Sequence, residues 1–337
     1  MRNIFYILLM LISLLGSAFA GTKYAGSFLE LGVGARALAM GGAHVALSED
    51  AYGAYWNPSG LAFLNNYQAA AMYASGFNQL EKHNFASIAV PIFGGATVGL
   101  SWIRLGVDDI PRYKDIRDPN LTFATRQDDP ELQYNYGPNG SFGSASDAYI
   151  ITFAKYQKVL LDLGWQYFEF PIDFGYGLNF KMLNEKIDDN KGTGIGIDLG
   201  IILKIQMVDV FNDDAYGDLI FGLNAQDIVG TTITWDTDSK HKDEVERNFK
   251  YGLGYRQPLN FLNSQLTLGI DLDSRYSGSG HLGFEYLYNS LLAVRAGSNS
   301  ENFTAGAGII IWKVRFDYAY QEHDLGDSHR VSLLFNL

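Results

Sequence analysis

From about residue 66 to Leu337, apolar side chains recur at every second position. A strand turns successive side chains to opposite faces, so a period of two predicts strand after strand. The last segment is the clearest. His329, Val331, Leu333, Phe335 and Leu337 form one row, and Arg330, Ser332, Leu334 and Asn336 form a mostly polar one. Upstream the same pattern gives Val98, Leu100 and Trp102; Phe174, Tyr176, Leu178 and Phe180; Ile195, Ile197, Leu199 and Ile201; Leu266, Leu268, Ile270 and Leu272. The opposite rows are small or charged, as in Asp173, Gly175, Gly177, Asn179 and Lys181, or Gly194, Gly196 and Asp198.

The pattern predicts strands at 66–74, 82–91, 95–105, 146–155, 171–182, 193–203 and 217–225, then at 247–256, 264–273, 281–288, 291–297, 302–310, 312–320 and 328–337. That is about fourteen, an even number, as closed bacterial barrels require. An apolar row with nothing after it to cover it suits lipid. The expected fold class is therefore all-β, a transmembrane antiparallel β-barrel with its polar rows inward. A soluble sandwich or lipocalin-like barrel would also alternate, with its apolar face inward, but fourteen strands are many for one such domain. Trp and Tyr near the strand ends favour the lipid reading.

The first residues do not follow the period of two. Arg2 precedes an apolar stretch from Ile4 to Leu15, and Ala18-Phe19-Ala20 has small-x-small form. Such a stretch is short for a spanning helix and fits a signal peptide over 1–20, cleaved before Gly21. Residues 21–64 are rich in turn chemistry, notably Tyr55-Trp56-Asn57-Pro58-Ser59-Gly60, and read as a compact N-terminal hatch. The barrel is then 65–337.

With an even strand count, both barrel ends are expected in the periplasm of the cell outer membrane. The longest connection, about 106–145, then lies outside. It is acidic (Asp108, Asp109, Asp115, Asp118, Asp128, Asp129) and aromatic, with Tyr113, Phe123, Tyr134, Tyr136 and Phe142 as candidate contact residues. The connection at about 226–246 falls on the same side. Two inner connections, around 156–170 and 204–216, are long for periplasmic turns; the first is expected to hold a helix or a strand excursion.

Composition sharpens this picture at three points. There is no cysteine, so disulfides and thiolate metal sites are excluded. The formal charge of −12 becomes one unit more negative once Arg2 leaves with the leader. That argues against a nucleic-acid partner. Mean hydropathy is −0.04, the neutral average of strands that are half in lipid and half in water.

The chemistry of the chain points away from catalysis. It has no GxSxG elbow, no HExxH and no Walker A sequence, so no catalytic residue is expected and the chain reads as a non-enzyme. No cofactor is expected. The six histidines show no metal-ligand spacing; solvated loop charge is the ordinary reading of His323, Asp324, Asp327 and His329. Asp271 and Asp273 share an inward face without forming an EF-type loop. Glu285, Arg295, Lys313, Arg315, Asp317 and Arg330 all fall on expected lumen faces of neighbouring strands. Opposite signs on adjacent strands can pair, so an ion-pair network filling the lumen is favoured over a polar path for a solute.

Two stretches carry a family resemblance. Gly34-Ala35-Arg36-Ala37-Leu38-Ala39-Met40-Gly41-Gly42-Ala43, followed by Tyr55-Trp56-Asn57-Pro58-Ser59-Gly60-Leu61-Ala62, resembles the N-terminal signature of the PorV/PorQ family. Asp317-Tyr318-Ala319-Tyr320, Leu325-Gly326 and His329-Arg330-Val331-Ser332-Leu333 resemble its C-terminal strand pair. The similarity is strong at the two ends and weak between them. The family belongs to the FadL-like barrels, which have fourteen strands and an N-terminal hatch. Asn57-Pro58-Ser59 stands where FadL carries Asn-Pro-Ala. The resemblance implies one of two roles, of which assistance to protein secretion is the first expectation and passive transport of hydrophobic molecules the alternative. PorV-like members assist type IX secretion, receiving or shuttling exported proteins that bear a C-terminal signal, together with a translocon. FadL-like members carry hydrophobic molecules passively. The implied partners are outer-membrane lipid and either exported proteins or a hydrophobic ligand. Arg36, Met40, Gly41, Gly42, Asn57, Pro58 and Gly60 are the candidate gate, because glycine-rich backbone can shift where side chains would block it; the equal alternative is a static plug that stabilises the barrel.

Overall fold

A computed structural model describes residues 25–76, 80–113, 122, 124–125, 138–162, 169–259, 263–275, 279–300, 302–322 and 327–337. The expected leader, and Phe123, Tyr134 and Tyr136 of the longest connection, lie outside these residues. The chain forms β1 (Gln68–Gly76), β2 (Glu81–Ile92), β3 (Ala96–Arg112), β4 (Gly140–Asp162), β5 (Glu169–Ile187), β6 (Asn190–Gln206) and β7 (Asp218–Gln226). It continues with β8 (Thr231–Trp235), β9 (Lys242–Val245), β10 (Asn248–Leu259), β11 (Ser264–Asp273), β12 (Ser279–Tyr288), β13 (Leu292–Ser298), β14 (Phe303–Ile311), β15 (Val314–Gln321) and β16 (Ser328–Asn336).

Fourteen of these strands close an antiparallel barrel, sealed where β1 pairs with β16 from Gln68↔Asn336 to Ser75↔His329. Closure leaves no unpaired edge, the condition for strands in hydrocarbon. The other two, β8 and β9, form a hairpin. β6 outruns β7, and β8 pairs with its free end through Gly192↔Trp235 and Thr193↔Thr234. The hairpin buries Ile233, Trp235 and Val245 near the inner segment, where Gly26 lies against Val245.

The alternation places its rows as expected. Leu100, Ile151, Phe180, Ile195, Ile270, Phe284, Phe316 and Val331 point outward and are exposed, a continuous apolar girdle. Their neighbours Ser101, Thr152, Asn179, Asp271, Glu285, Asp317 and Ser332 point inward and are buried. The barrel has two unlike ends. Tight turns, such as Trp312-Lys313 between β14 and β15, gather where β1 begins and β16 finishes. The longest connections gather at the other end, here called the loop end. At the turn end, residues 156–162 and 169–170 of the 156–170 connection are strand: β4 and β5 run on together through Val159↔Ile172 to Asp162↔Glu169. The 204–216 connection carries a short helix, Met207–Phe211.

Residues 25–64 run inside the ring. They form a 3-10 turn at Ser27–Glu30, a helix at Ala35–Ala39, a helical turn at Gly53–Trp56 and a 3-10 stretch at Pro58–Phe63. Asn57 begins the last of these, its side chain accepting from the Ser59 amide, with Pro58 next, as a helix start favours. Met40, Val45, Leu47, Tyr52 and Leu61 are all but fully buried, so side chains fill the barrel axis at this level.

The wall makes room for this segment with glycine. Gly254, Gly269, Gly283 and Gly297 sit directly opposite one another across β10, β11, β12 and β13. A Cβ at Gly283 would stand 2.6 Å from the Met40 carbonyl oxygen, and one at Gly269 2.8 Å from that of Ala43. Only a bare backbone admits another backbone so close.

Candidate functional site

The inner segment is tied to the wall on all sides by groups whose backbone partners would otherwise be unsatisfied. Asp271 of β11 accepts from the amides of His44 and Val45 at 2.6 and 2.7 Å. Asn57 donates to the Ile201 carbonyl on β6 at 3.2 Å, Asn179 of β5 to that of Ala54 at 2.7 Å, and Asn224 of β7 to that of Trp56 at 2.8 Å. Thr304 of β14 donates to the Ala39 carbonyl, and Ser332 of β16 accepts from the Ala35 amide. The Tyr52 hydroxyl reaches the carbonyls of Ala71 and Leu333, across the seam.

Charges reinforce the tie. Arg36 makes a two-pronged pair with Glu285, at 2.9 and 2.8 Å, and Glu285 also takes Arg295 at 2.6 Å. Arg295 continues to Asp317, Asp317 to Arg315, and Arg315 to Asp50 at 2.7 Å. Glu285, Arg295, Arg315 and Asp317 thus form the expected network, and two inner-segment residues close it. Lys313 does not belong to it. It occupies the tight turn after Trp312, exposed, with its ammonium 5.5 Å from the Trp312 ring. The alternation runs unbroken through a two-residue turn, which is why it reads as strand. Arg330 does face the lumen, but it donates to Gln321 at 2.6 Å and joins no carboxylate among the described residues.

Burial alone would raise the Asp50 carboxyl, but Arg315, His44 and Arg36 outweigh it and hold it below the ordinary range. Glu49 is likewise held low, burial being outweighed by Arg256 and Lys204. Burial, aided by Arg36, pushes the His44 imidazole down to about 3.

A second buried network was not anticipated. Lys181 lies between Asp198 and Asp227, 2.8 Å from each, and Arg275 joins Glu30 at 3.0 Å and Asp227 at 3.8 Å. The signal for its core was present, since Lys181 and Asp198 fall on inward rows of adjacent strands. Arg275 follows β11, where the period of two has ended.

Above the inner segment, toward the loop end, is a cavity of about 470 Å³. That volume is in the range of small-molecule sites. Its floor is Leu29, Leu38, Tyr55 and Trp56, together with the backbone of Gly41 and Gly42. Its wall carries Lys250, Asp273, Arg275, His281, His83 and Arg330. Lys250 pairs with Asp273 at 3.1 Å and stands 5.8 Å from the Trp56 ring centre. His281 meets the Gly41 carbonyl at 2.7 Å. Of the candidate gate residues, Gly41 and Gly42 line the cavity; Arg36, Met40, Asn57, Pro58 and Gly60 are packed into the wall contacts below it.

The external contact candidates are dispersed. Tyr113 is exposed just past β3. Phe142 is a strand residue of β4, opposite Ile110, and the Arg112 guanidinium stands 5.7 Å from its ring centre. The strands simply run further past the barrel rim than the hydropathy pattern marks. His329 hydrogen-bonds the Tyr318 hydroxyl at 2.7 Å. No group of three or more His, Asp or Glu among the described residues is placed to hold a metal ion.

No protein-family model matches the chain, and no curated protein is similar to it. Among solved structures it is similar to a Pseudomonas aeruginosa FadL homologue, with 11% identity over 95% of this chain and 99% of that one and a TM-score of 0.47. It is also similar to the Ralstonia pickettii toluene transporter TbuX, with 11% identity over 90% and 97% and a TM-score of 0.46. The Acinetobacter baumannii outer membrane protein Omp33 matches with 7% identity over 81% and 98% and a TM-score of 0.44. A shared barrel architecture does not by itself carry a shared function.

Proposed function

We propose that the protein is a non-enzymatic outer-membrane barrel that passively admits small hydrophobic molecules, the FadL-like of the two roles its sequence resemblance implies. The observation that carries this reading is the cavity between the loop end and the inner segment. An apolar, aromatic floor under a polar mouth suits a small molecule that leaves water and settles on Leu29, Leu38, Tyr55 and Trp56. The outward apolar girdle fits a lipid setting. In this arrangement the loop end faces the exterior, and both barrel ends lie on the periplasmic side.

Onward movement needs the inner segment to act as the hatch, because its side chains fill the axis below the cavity. Gly41 and Gly42 are the part of it that faces the cavity, both at positive φ. The secretion role would draw on the aromatic outer connection, most of which lies outside the described residues, and no cavity or contact described here favours it.

The test is uptake into proteoliposomes of a neutral apolar solute, toluene. The absence of cysteine makes an engineered lock clean. Ala35→Cys with Ser332→Cys spans a contact in which the Ala35 amide lies 3.1 Å from the Ser332 hydroxyl. Uptake is expected to exceed that of empty vesicles, to fall on oxidation of the double variant and to return on reduction. Uptake no faster than in empty vesicles would remove the transport reading. Uptake insensitive to the lock would remove the hatch as gate.

A further inference from the structure

Arg330 is the one arginine on the cavity wall whose guanidinium pairs with no carboxylate among the described residues. It is nine-tenths buried, and its recorded partner is the Gln321 side-chain oxygen. Arg275 by contrast is paired with Glu30 and Asp227, and Lys250 with Asp273. Glu81 stands at the rim, one pleat beyond His83 on the same face. A buried cation without a counter-charge is costly unless something else supplies the charge.

His83 stands in the same row. Register sets Arg330 opposite Ala74, and Ala74 opposite His83. Two strand spacings therefore separate their backbones, about 10 Å. Between them, and on the far side of Arg330, are only alanines, Ala74 and Ala319. Neither alanine side chain offers the guanidinium a hydrogen-bond acceptor. His83 is 5% exposed, and its Nε2 is buried without a hydrogen-bond partner. Both residues thus line one cavity, on strands either side of Ala74, and the guanidinium has no carboxylate partner among the described residues.

We infer that Arg330 and His83 form an anion subsite in this cavity, and that its ligand is a small organic acid whose carboxylate they hold while its apolar body rests on Tyr55 and Leu29. The planar guanidinium offers parallel N–H groups to the two carboxylate oxygens, and the His83 imidazole stands in the same row as the second polar group of the subsite. Binding supplies the missing counter-charge. This deepens the proposed function by naming a ligand class, and it rests on the cavity as a ligand site; it does not depend on onward passage.

The experiment is equilibrium binding to the mature chain purified in an uncharged detergent, by titration calorimetry. Sodium benzoate is the probe and benzamide its neutral counterpart of the same shape. Benzoate is expected to bind at least tenfold more tightly than benzamide. Arg330→Gln should erase that preference while the protein still migrates as a folded barrel on unheated gels. Arg330→Lys keeps the charge and the fold but loses the fork, so it should retain only part of the preference. Equal affinities for the two probes in the unsubstituted protein, or no benzoate binding, would overturn the inference without recourse to any variant. So would a preference that survives Arg330→Gln. Benzoate binding without toluene uptake would leave this subsite standing and remove passage; toluene uptake without an anion preference would do the reverse.

Discussion

Arg36 and Glu285, which lie 249 residues apart in sequence, meet inside the barrel with both prongs of the guanidinium on both carboxylate oxygens. The pair joins the inner segment to β12 and hands the charge on through Arg295 and Asp317. Breaking a buried pair by removing one partner costs about 3–5 kcal/mol, because the survivor is left buried and uncompensated. Glu285→Gln takes the close partner from Arg36 and one of two carboxylates from Arg295, whereas Arg36→Ala leaves Glu285 paired with Arg295. Unfolding measured by heat-modifiable gel migration is therefore expected to show Glu285→Gln as the more damaging change. Equal effects would mean that Arg36 is the sole partner that matters.

The glycine row makes a steric prediction. Gly283→Ala puts a methyl group against the Met40 carbonyl, and Gly269→Ala puts one against that of Ala43. Overpacking of this kind costs roughly 1–3 kcal/mol. Gly106→Ala is the control, since a Cβ there meets nothing within 4 Å. Urea unfolding should rank the first two well below the control.

The outward girdle predicts a depth dependence. Phe284, 40% exposed in the middle of β12, faces hydrocarbon; Leu292, 47% exposed, begins β13 near the turn end. Arginine on a lipid face costs about 2–4 kcal/mol at the bilayer midplane and falls to about 0–1 near the interface. Phe284→Arg should therefore destabilise the barrel in lipid vesicles several-fold more than Leu292→Arg. Equal costs would place the girdle elsewhere than in a bilayer.

Acid should loosen the inner segment in two stages. Folded His44 resists protonation to about 3, against an ordinary imidazole value of about 6.5, so the unfolded chain takes up the proton first. Stability from this residue is complete above 6.5 and falls as the pH drops toward 3. Asp50 and Glu49 are held below 3.8 and 4.5, so their contribution is present above those values and is lost at lower pH. Thermal melting between pH 7.5 and pH 4.5 is expected to fall, and His44→Gln is expected to flatten that slope. An unchanged slope in His44→Gln would place the proton uptake on other groups.

Most of the barrel was legible in the sequence because lipid on one side and packed polar groups on the other impose a strict alternation. Rows such as Ile195 to Ile201 and Leu266 to Leu272 can be read directly. The alternation is blind to turns that do not interrupt it, which is how Lys313 came to look like a lumen residue. It is equally blind to strands that continue without lipid contact, so Phe142 and the hairpin β8–β9 were read as loop. The candidate site was harder. Glu285, Arg295 and Asp317 could be grouped because adjacent strands share a face. Pairing Arg36 or Asp50 with them requires the path of residues 25–64, and no periodicity encodes that path. His83 and Arg330 come onto one row, either side of Ala74, only once the first strand meets the last.

The inner segment touches the ring at β6 through Asn57, at β11 through Asp271, at β14 through Ala39 and at β16 through Ala35. A cylinder one hairpin narrower would not enclose it, and one hairpin wider would lose contact along part of the circumference. It follows that these forty residues gauge the girth of the barrel: the ring has the circumference at which all of these tethers reach the wall at once.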